Sequence, residues 1–326
     1  MKFWKNAGRY GIDGFLLGLM GVILGAWIYP YPGTSSSPFY LDEIAGYGIS
    51  LIFFFYGLKL GFRKLRDGIA NWRLHLFVQA VTFVIFPLIG IVLKPFFTEE
   101  TGRMLWMGIF FLCALPSTVS SSVVMVGIAK GNIPAAIFNA SVSSLVGVFV
   151  TPLWLGLIFI GSEGAIALDV VITKLVIQVM LPLVLGMLLH NRFGAWAVRN
   201  SNGIRVYDQT IILLIVYCSF CQSFTDRLFE GMSTTDILLL GMGMSGLFFL
   251  VFFFTKKLGQ LLGFNREDRI TAIFCGSKKS MMQGALMSNV MFAGTPLAGI
   301  ILLPVMIYHS LQLVYVGIIA RKYADQ

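Results

Sequence analysis

Two adjacent lysines, Lys278 and Lys279, lie in the middle of an apolar run that reads IFCGSKKSMMQ over residues 273–283. An ionised lysine at the centre of a bilayer costs about 3 kcal/mol on insertion scales, so lysines at that depth are rare and usually functional. A buried ammonium can hold an anionic substrate, or it can stand where a metal cation would otherwise bind. A structural lysine that donates to main-chain carbonyls is the third alternative, and the sequence leaves all three open.

Hydroxyl and amide side chains accompany this pair in the apolar parts of the chain. We predict that nine residues bind the substrate, namely Ser117, Thr118, Ser120, Ser121, Lys278, Lys279, Gln283, Asn289 and His309. Neutral oxygens suit a hard monovalent cation, and the candidate Na+ ligands are Gln79, Thr82, Ser122, Asn139, Ser143 and Ser277. The alternative for any one of these groups is interhelical hydrogen bonding, which contributes about 0.6 kcal/mol in membranes.

Residues for enzymatic chemistry do not form a recognisable pattern. The sequence contains no nucleophile–base constellation, no metal-ligand spacing and no Gly-x-x-x-x-Gly-Lys phosphate loop. Its four cysteines lie within apolar runs, which is typical of packing residues rather than of a disulfide framework. We therefore predict neither an enzyme nor a cofactor beyond a bound Na+, and ATP-driven transport is not expected.

The elements that must position these groups are membrane-spanning helices. The 326 residues are 57% apolar and 12% charged, whereas soluble domains are about 25% charged. Apolar runs of about 20 residues, each long enough to cross about 30 Å of hydrocarbon, recur along the chain. They predict an all-α polytopic membrane protein with ten spans, at residues 11–30, 43–61, 74–97, 104–129, 133–160, 165–189, 207–226, 236–258, 270–292 and 297–320.

The net charge of +9 follows the predicted topology. With a cytoplasmic N-terminus, 18 of the 24 lysines and arginines lie on the cytoplasmic side, as the positive-inside rule requires. Orientation in the membrane thus explains the charge, and a nucleic-acid partner is not expected. We predict a multi-pass protein of the inner membrane with both termini in the cytoplasm, embedded in lipid as a monomer or a homodimer.

Two of the spans are interrupted at corresponding positions. Span 4 contains LPSTVSSS (115–122) and span 9 contains CGSKKS (275–280), and each is the fourth span of a five-span half. Pro116 breaks the first because proline removes a backbone donor, and Ser280 with Gln283 has the spacing of a capping box, which marks a new helix start. Five spans per half place the halves in opposite orientations, and paired interruptions in such an inverted repeat indicate a binding site at the bilayer midplane.

Three segments resemble the bile acid:sodium symporter family. They are RLHLFVQAVTFVIFP (73–87), ALPSTVSSSVVMVGIAKGNIPAAIFNASVSSLVGVFVTP (114–152) and CGSKKSMMQGALMSNVMF (275–292), and Lys-Gly-Asn at 130–132 is a specific anchor. The resemblance is closest to bacterial proteins related to the vertebrate sodium/bile acid cotransporter 7 type and to yeast regulators of calcium homeostasis. It implies ten helices in a 5+5 inverted repeat, in which discontinuous helices 4 and 9 cross at the substrate and sodium sites.

The resemblance also divides the chain into two parts. It implies panel helices 1 and 2 in residues 1–73, core helices 3–5 in 74–161, panel helices 6 and 7 in 162–235 and core helices 8–10 in 236–326. The implied function is secondary transport of an organic anion by alternating access, in which the core rocks against the panel. The yeast branch implies an alternative, a non-transporting membrane regulator of calcium homeostasis that acts through a partner.

The lysine pair departs from the sodium-dependent members of that family. Lys278 and Lys279 stand where those members have Gln-Asn at the span 9 crossing, and Phe274 stands where they have a sodium-binding Glu. Ala136 and Ala140 stand where they have two hydroxyl ligands in span 5. Coupling to Na+ or to H+ therefore stays open, and our hypothesis is that one of the two lysines supplies a built-in positive charge in place of the coupling ion.

Overall fold

The computed structural model describes residues 14–67, 71–159, 173–174, 176–230, 233–292, 295 and 297–325. Within these residues the regular secondary structure is helical, without a strand. The α-helices are α1 (Gly14–Ile28), α2 (Leu41–Asp67), α3 (Trp72–Ala80), α4 (Phe86–Leu93), α5 (Glu100–Ala114), α6 (Ser120–Ile128), α7 (Ile133–Phe159), α8 (Leu181–Leu188), α9 (His190–Arg199), α10 (Ser201–Thr225), α11 (Thr234–Leu261), α12 (Arg266–Gly276), α13 (Met281–Phe292) and α14 (Leu297–Ala324). Single π-helical turns precede α4, at Val81–Ile85, and α8, at Val176–Met180.

Six of the described helical segments are long and apolar enough to cross a membrane, and a seventh results if Val176–Leu188 and α9, which bend by 99°, count as one span. The interrupted spans do not pass this length test because each consists of two shorter helices, α5 with α6 and α12 with α13. Residues 160–172 lie outside the described part of the chain. A helical, multi-pass membrane protein is thus established, whereas the ten-span repeat stays a prediction.

The helices pack in two sets. In one set, α2 packs against α8, α9 and α10, and α1 packs against α10. In the other set, α14 packs against α5, α11 and α13, while α12 packs against α3, α6, α7 and α11. The sets meet where α10 contacts α13 and α14 and where α2 contacts α7 and α13. Helix α13, which begins at one of the helix breaks, therefore lies at the boundary between the sets.

A buried carboxylate connects the start of α12 to two preceding segments. Asp268 is 8% exposed, and its two oxygens accept from the side-chain amides of Asn71 and Asn132 at 2.8 Å each. Its N–H donates to Oδ1 of Asn265, which thereby caps α12. The Asn132 N–H also donates to Thr271 Oγ1 at 2.9 Å. The Lys-Gly-Asn segment noted in the sequence thus ends in a hydrogen-bonded junction.

Asp268→Ala is expected to lower the free energy of unfolding by about 2–4 kcal/mol, because it leaves two partly buried amide donors without an acceptor. Thermal unfolding of the purified protein in detergent measures the change. Glu267→Ala is the matched control, since Glu267 is the exposed neighbour in the same helical turn. Equal melting temperatures for the two variants would contradict the role of Asp268 as a junction.

Candidate functional site

The break between α5 and α6 crosses the break between α12 and α13, and the two share hydrogen bonds. The Ser280 N–H donates to the Pro116 carbonyl at 2.9 Å. In the other direction, Ser117 Oγ donates to the Cys275 carbonyl at 2.6 Å, and the Ser117 N–H donates to Ser143 Oγ of α7 at 3.0 Å. Backbone groups that a broken helix releases in a membrane need internal partners. Here each break supplies partners for the other.

Helix α14 holds the second break through two side chains. Gln312 is fully buried, its Oε1 accepts from the Lys279 N–H at 2.9 Å, and its Nε2 donates to the Lys279 carbonyl at 2.8 Å. The Tyr308 hydroxyl donates to the Ser277 carbonyl at 2.7 Å. These contacts satisfy main-chain groups that a continuous helix would have paired internally. The unwound segment is therefore held in one conformation by its neighbour.

Gln312→Leu is expected to lower the free energy of unfolding by about 2–4 kcal/mol, because it removes the partners of two buried backbone groups. The melting temperature of the purified protein is again the measurement. Ser310→Ala serves as the control in the same helix, since Ser310 Oγ donates to its own helix at the Met306 carbonyl. Equal melting temperatures of the two variants would show that the unwound segment keeps its conformation without the hydrogen bonds of Gln312.

Lys278 contacts a row of three hydroxyl groups near the start of α6. We call the hydroxyls of Thr118, Ser121 and Ser122 the hydroxyl row. The Lys278 side chain is fully buried, and its Nζ donates to Ser121 Oγ at 2.6 Å. Ser121 Oγ donates to Thr118 Oγ1 at 3.0 Å, and Thr118 Oγ1 lies 2.8 Å from Ser122 Oγ. Within the described ranges, no carboxylate lies at ion-pair distance from this ammonium. Lys278 therefore brings a basic group without a countercharge to the hydroxyl row.

Lys279 points to the other side of the crossing. Its side chain is 1% exposed, and its Nζ donates to the main-chain carbonyls of Thr82, Cys113 and Leu115 at 2.9, 2.7 and 2.7 Å. The ring centroid of Phe86 lies 4.1 Å from Nζ, which adds a cation–π contact. The two adjacent lysines thus have different partners and different surroundings.

A cavity of about 270 Å³ opens between the crossing and the helices that face it. On the side of the crossing its wall includes Thr118, Ser121, Ser280, Gln283 and His309. The facing wall comes from α1, α2 and α10 and includes Phe15, Ile52, Phe53, Tyr56, Lys59, Arg205, Asp208, Gln209 and Ile212. A few polar groups on an otherwise apolar lining are typical of sites for small amphipathic molecules.

Gln283 contributes an unusual polar group to this wall. Its N–H donates to Ser280 Oγ at 3.3 Å, so one half of the predicted capping box is present. Its Oε1 is buried and has no hydrogen-bond partner among the described residues, so the other half is absent. Because an unpaired buried acceptor costs about 1–3 kcal/mol, this amide is a candidate to receive a donor from a bound molecule.

Eight of the nine predicted substrate residues separate into three groups. Those that line the cavity are Thr118, Ser121, Gln283 and His309. Those that are buried at the crossing, outside the lining, are Ser117, Lys278 and Lys279. Asn289 lies instead beside a second cavity of about 430 Å³. Ser120 begins α6, and its side chain lies outside the described part of the structure.

The candidate Na+ ligands take part in separate contacts. Gln79 Nε2 donates to the Asn139 carbonyl at 3.2 Å, between α3 and α7. Ser122 belongs to the hydroxyl row beside Lys278, and Ser143 Oγ accepts from the Ser117 N–H. The hydroxyls of Thr82 and Ser277 donate to carbonyls of their own helices, at 2.9 and 2.7 Å. A Na+-binding role for these six residues stays a prediction.

Sequence reasoning missed the side chains that face the crossing from the other helix set. Lys59 and Arg205 were explained by membrane orientation, yet both line the cavity, together with Tyr56 and Asp208. Gln312 was not among the predicted site residues either, because a polar residue in an apolar helix does not by itself show which group it contacts. Each of these contacts joins helices that are distant in sequence, so no local pattern contains them.

Two broken helices that cross beside a cavity with a few polar groups, in a multi-pass helical protein, are typical of secondary transporters. The chain matches the model of the SBF-like CPA transporter family over residues 13–325. An uncharacterized protein of Pseudomonas aeruginosa is 41% identical over 318 residues, with 97% of this chain and 94% of that protein covered. The Escherichia coli K12 protein YfeH, a symporter by name, is 36% identical over 315 residues, with 97% of this chain and 94% of YfeH covered. Rat sodium/bile acid cotransporter 7 is 30% identical over 302 residues, with 92% of this chain and 88% of that protein covered.

The chain therefore belongs to the SBF-like CPA transporter family. This membership confirms the resemblance to bile acid:sodium symporters that the three sequence segments indicated. It also confirms that the chain is related to transporters and not to enzymes.

Proposed function

We propose that this protein is a secondary transporter that moves a small organic anion across the membrane by alternating access. The observation that carries the proposal is the charge around the cavity at the crossing. Lys59 and Arg205 lie in its wall, and Lys278 contacts it through Ser121, whereas the described lining contains one carboxylate, that of Asp208. An excess of positive charge in a cleft with low-dielectric walls attracts anions.

The lining favours a compact anion with an apolar part. The volume of about 270 Å³ lies just below the range of about 300–1,000 Å³ that is usual for drug-sized ligands. Phe53, Met281 and Leu286 supply apolar surface from both walls. The acidic group of the substrate would lie near Ser121, where the positive charge of Lys278 attracts it.

Two relatives that are a symporter and a cotransporter by name support coupling of the anion to an ion. For this chain we propose symport with Na+ or H+. The buried charges of Lys278 and Lys279 already supply at the crossing what a bound cation would otherwise bring. Dependence on Na+ is therefore the first property of transport to measure.

We further propose that the chain forms ten spans in two inverted halves, divided into a panel and a core. The panel would comprise residues 1–73 and 162–235, and the core residues 74–161 and 236–326. Helix packing supports this division, because α1, α2, α8, α9 and α10 pack among themselves and contact the other set mainly at α7, α13 and α14.

The second cavity supports a rocking motion of these parts. It is lined by Ser50 of α2 and Asn289 of α13, among others, whereas Phe53 of α2 and Leu286 of α13, each three residues away, line the first cavity. The two cavities are thus about one helical turn apart on both helices, since a turn takes 3.6 residues. A small rotation of one set of helices against the other would close one cavity and open the other.

We propose that the first cavity opens to the cytoplasm. Lys59 and Arg205 line it, and they belong to the basic clusters at residues 59–73 and 192–205, which the positive-inside rule assigns to that side. The same rule supports cytoplasmic termini and an inner-membrane location. Cysteine labelling from either side of sealed vesicles would determine the orientation.

Uptake of labelled anions into liposomes that contain the purified protein tests the transport proposal. The probes are lactate, succinate, benzoate and taurocholate, each with an imposed Na+ gradient, an imposed H+ gradient or neither. Saturable uptake above that of protein-free liposomes is the expected result for at least one probe. No flux of any probe by folded protein, together with co-purification of an ion channel or exchanger, would contradict transport and favour a regulatory role.

A further inference from the structure

The surroundings of Lys279 have the properties of a binding site for a monovalent cation. An ammonium carries three donors, and here each one is used on a main-chain oxygen, of Thr82, Cys113 or Leu115, at 2.7–2.9 Å. The negative face of the Phe86 ring supplies a further contact at 4.1 Å. Rings of backbone carbonyls replace the hydration shell of alkali cations in channels. We call these four groups the carbonyl cage.

The first oxygen of the cage is free because of the π turn in the third span. In that turn the Phe86 N–H donates to the Val81 carbonyl. The residue five positions after Thr82 is Pro87, which has no N–H. The Thr82 carbonyl therefore lacks a helical donor, whatever residue occupies position 279.

The other two oxygens are free because α5 ends at Ala114. The residue four positions after Cys113 is Ser117, and its N–H donates to Ser143 Oγ instead of to the helix. Leu115 lies beyond the last residue of α5, so no helical turn reaches its carbonyl. The cage thus follows from the π turn of the third span and from the end of α5, and its oxygens remain when the lysine side chain is removed.

The carbonyl cage stabilises a positive charge. Three carbonyl dipoles and an aromatic face direct negative potential to one buried point, and no carboxylate of the described residues lies at ion-pair distance from Lys279. Without the ammonium, three buried acceptors would be left unpaired, which is costly in the absence of water. The surroundings of Lys278 differ from this cage, because the Lys278 ammonium donates to the side-chain hydroxyl of Ser121.

We propose that the Lys279 ammonium is the covalently attached occupant of a monovalent-cation site, and that this site takes a free monovalent cation when the ammonium is removed. The wild-type protein then carries this charge at every external cation concentration. The inference goes beyond the proposed function, because it holds for any substrate.

Thermal unfolding of the purified full-length protein in detergent tests the proposal, in the chlorides of choline, sodium, potassium and ammonium at equal ionic strength. The test variant is Lys279→Ala, and the matched control is Lys278→Ala, which removes the same charge from the adjacent residue. Lys279→Ala is expected to melt below wild type in choline. In at least one of the small cations it gains about 3–6 °C, saturably, beyond any shift of wild type or of the control.

A folded Lys279→Ala whose melting temperature responds to cations no more than that of wild type overturns the proposal. If the alanine variant does not fold in choline, purification in each small cation repeats the test, and folding in one of them supports the site. Lys279→Gln, which retains an amide donor, is the milder second variant. If neither variant folds in any of the four salts, the proposal also fails, because a free cation should replace the ammonium. The readout needs no substrate, so its failure and a failure of transport are separate results.

Discussion

Lys278→Met is expected to reduce the initial rate of anion uptake by about 10- to 100-fold, which corresponds to the loss of a hydrogen-bonded charge of about 1.5–3 kcal/mol. The Lys278 ammonium donates to Ser121, and Ser121 lines the cavity. Methionine retains the length of the apolar stem, so the packing at the crossing is preserved while the charge is lost. The measurement is uptake of the transported probe at a concentration below saturation, with the melting temperature as a check of folding.

Two further variants decide whether the charge itself is used. Lys278→Arg restores a positive charge and is expected to recover part of the uptake. Lys257→Met, at an exposed position of α11 outside the cavity lining, is expected to transport as wild type does. Wild-type uptake by folded Lys278→Met would show that the anion does not depend on this ammonium, and the substrate site would then have to be sought at Lys59 and Arg205.

Gly186→Ala is expected to destabilise the protein by about 3 kcal/mol or more, at the upper end of the range for overpacking. Helices α2 and α8 cross with their backbones in contact. A Cβ at Gly186 would meet the Phe54 carbonyl and would lie 3.0 Å from the Leu58 nitrogen. A Cβ at Gly57 would meet the Leu183 carbonyl and would lie 3.1 Å from the Gly186 carbonyl carbon. Backbone atoms cannot rotate away, so the helices would have to separate, and small residues are what permits such crossings in membranes.

Gly203→Ala is the matched control for this substitution. It lies in α10, within the same set of helices, and an added Cβ there meets no atom within 4 Å. Since alanine favours a helix over glycine by about 1 kcal/mol, this control is expected to melt at or above the wild-type temperature. The monodisperse fraction after gel filtration and the melting temperature measure both variants. Similar melting temperatures for the two would contradict the tight crossing of α2 and α8.

The helix interruptions could be predicted because their causes are local. Pro116 lies two residues beyond the end of α5, and α13 begins directly after Ser280, as the broken patterns in the sequence indicated. The polar residues gathered there could also be identified, since few polar groups occur in the apolar runs. The capping box at Gln283 was predicted whole and formed only in part, because the amide lies in the cavity wall instead of returning to Ser280.

Composition and residue order by themselves determined that this protein is helical, crosses the membrane several times, has two interrupted helices and carries two lysines in the second interruption. Those properties depend on the hydropathy of short segments and on single prolines and serines. Tertiary structure alone decided that Lys278 contacts the cavity through Ser121 while Lys279 lies in a cage, because their partners are 157 to 197 residues away in the chain. Residues that share a helix face can be predicted from their spacing, but the groups opposite that face depend on how the helices pack.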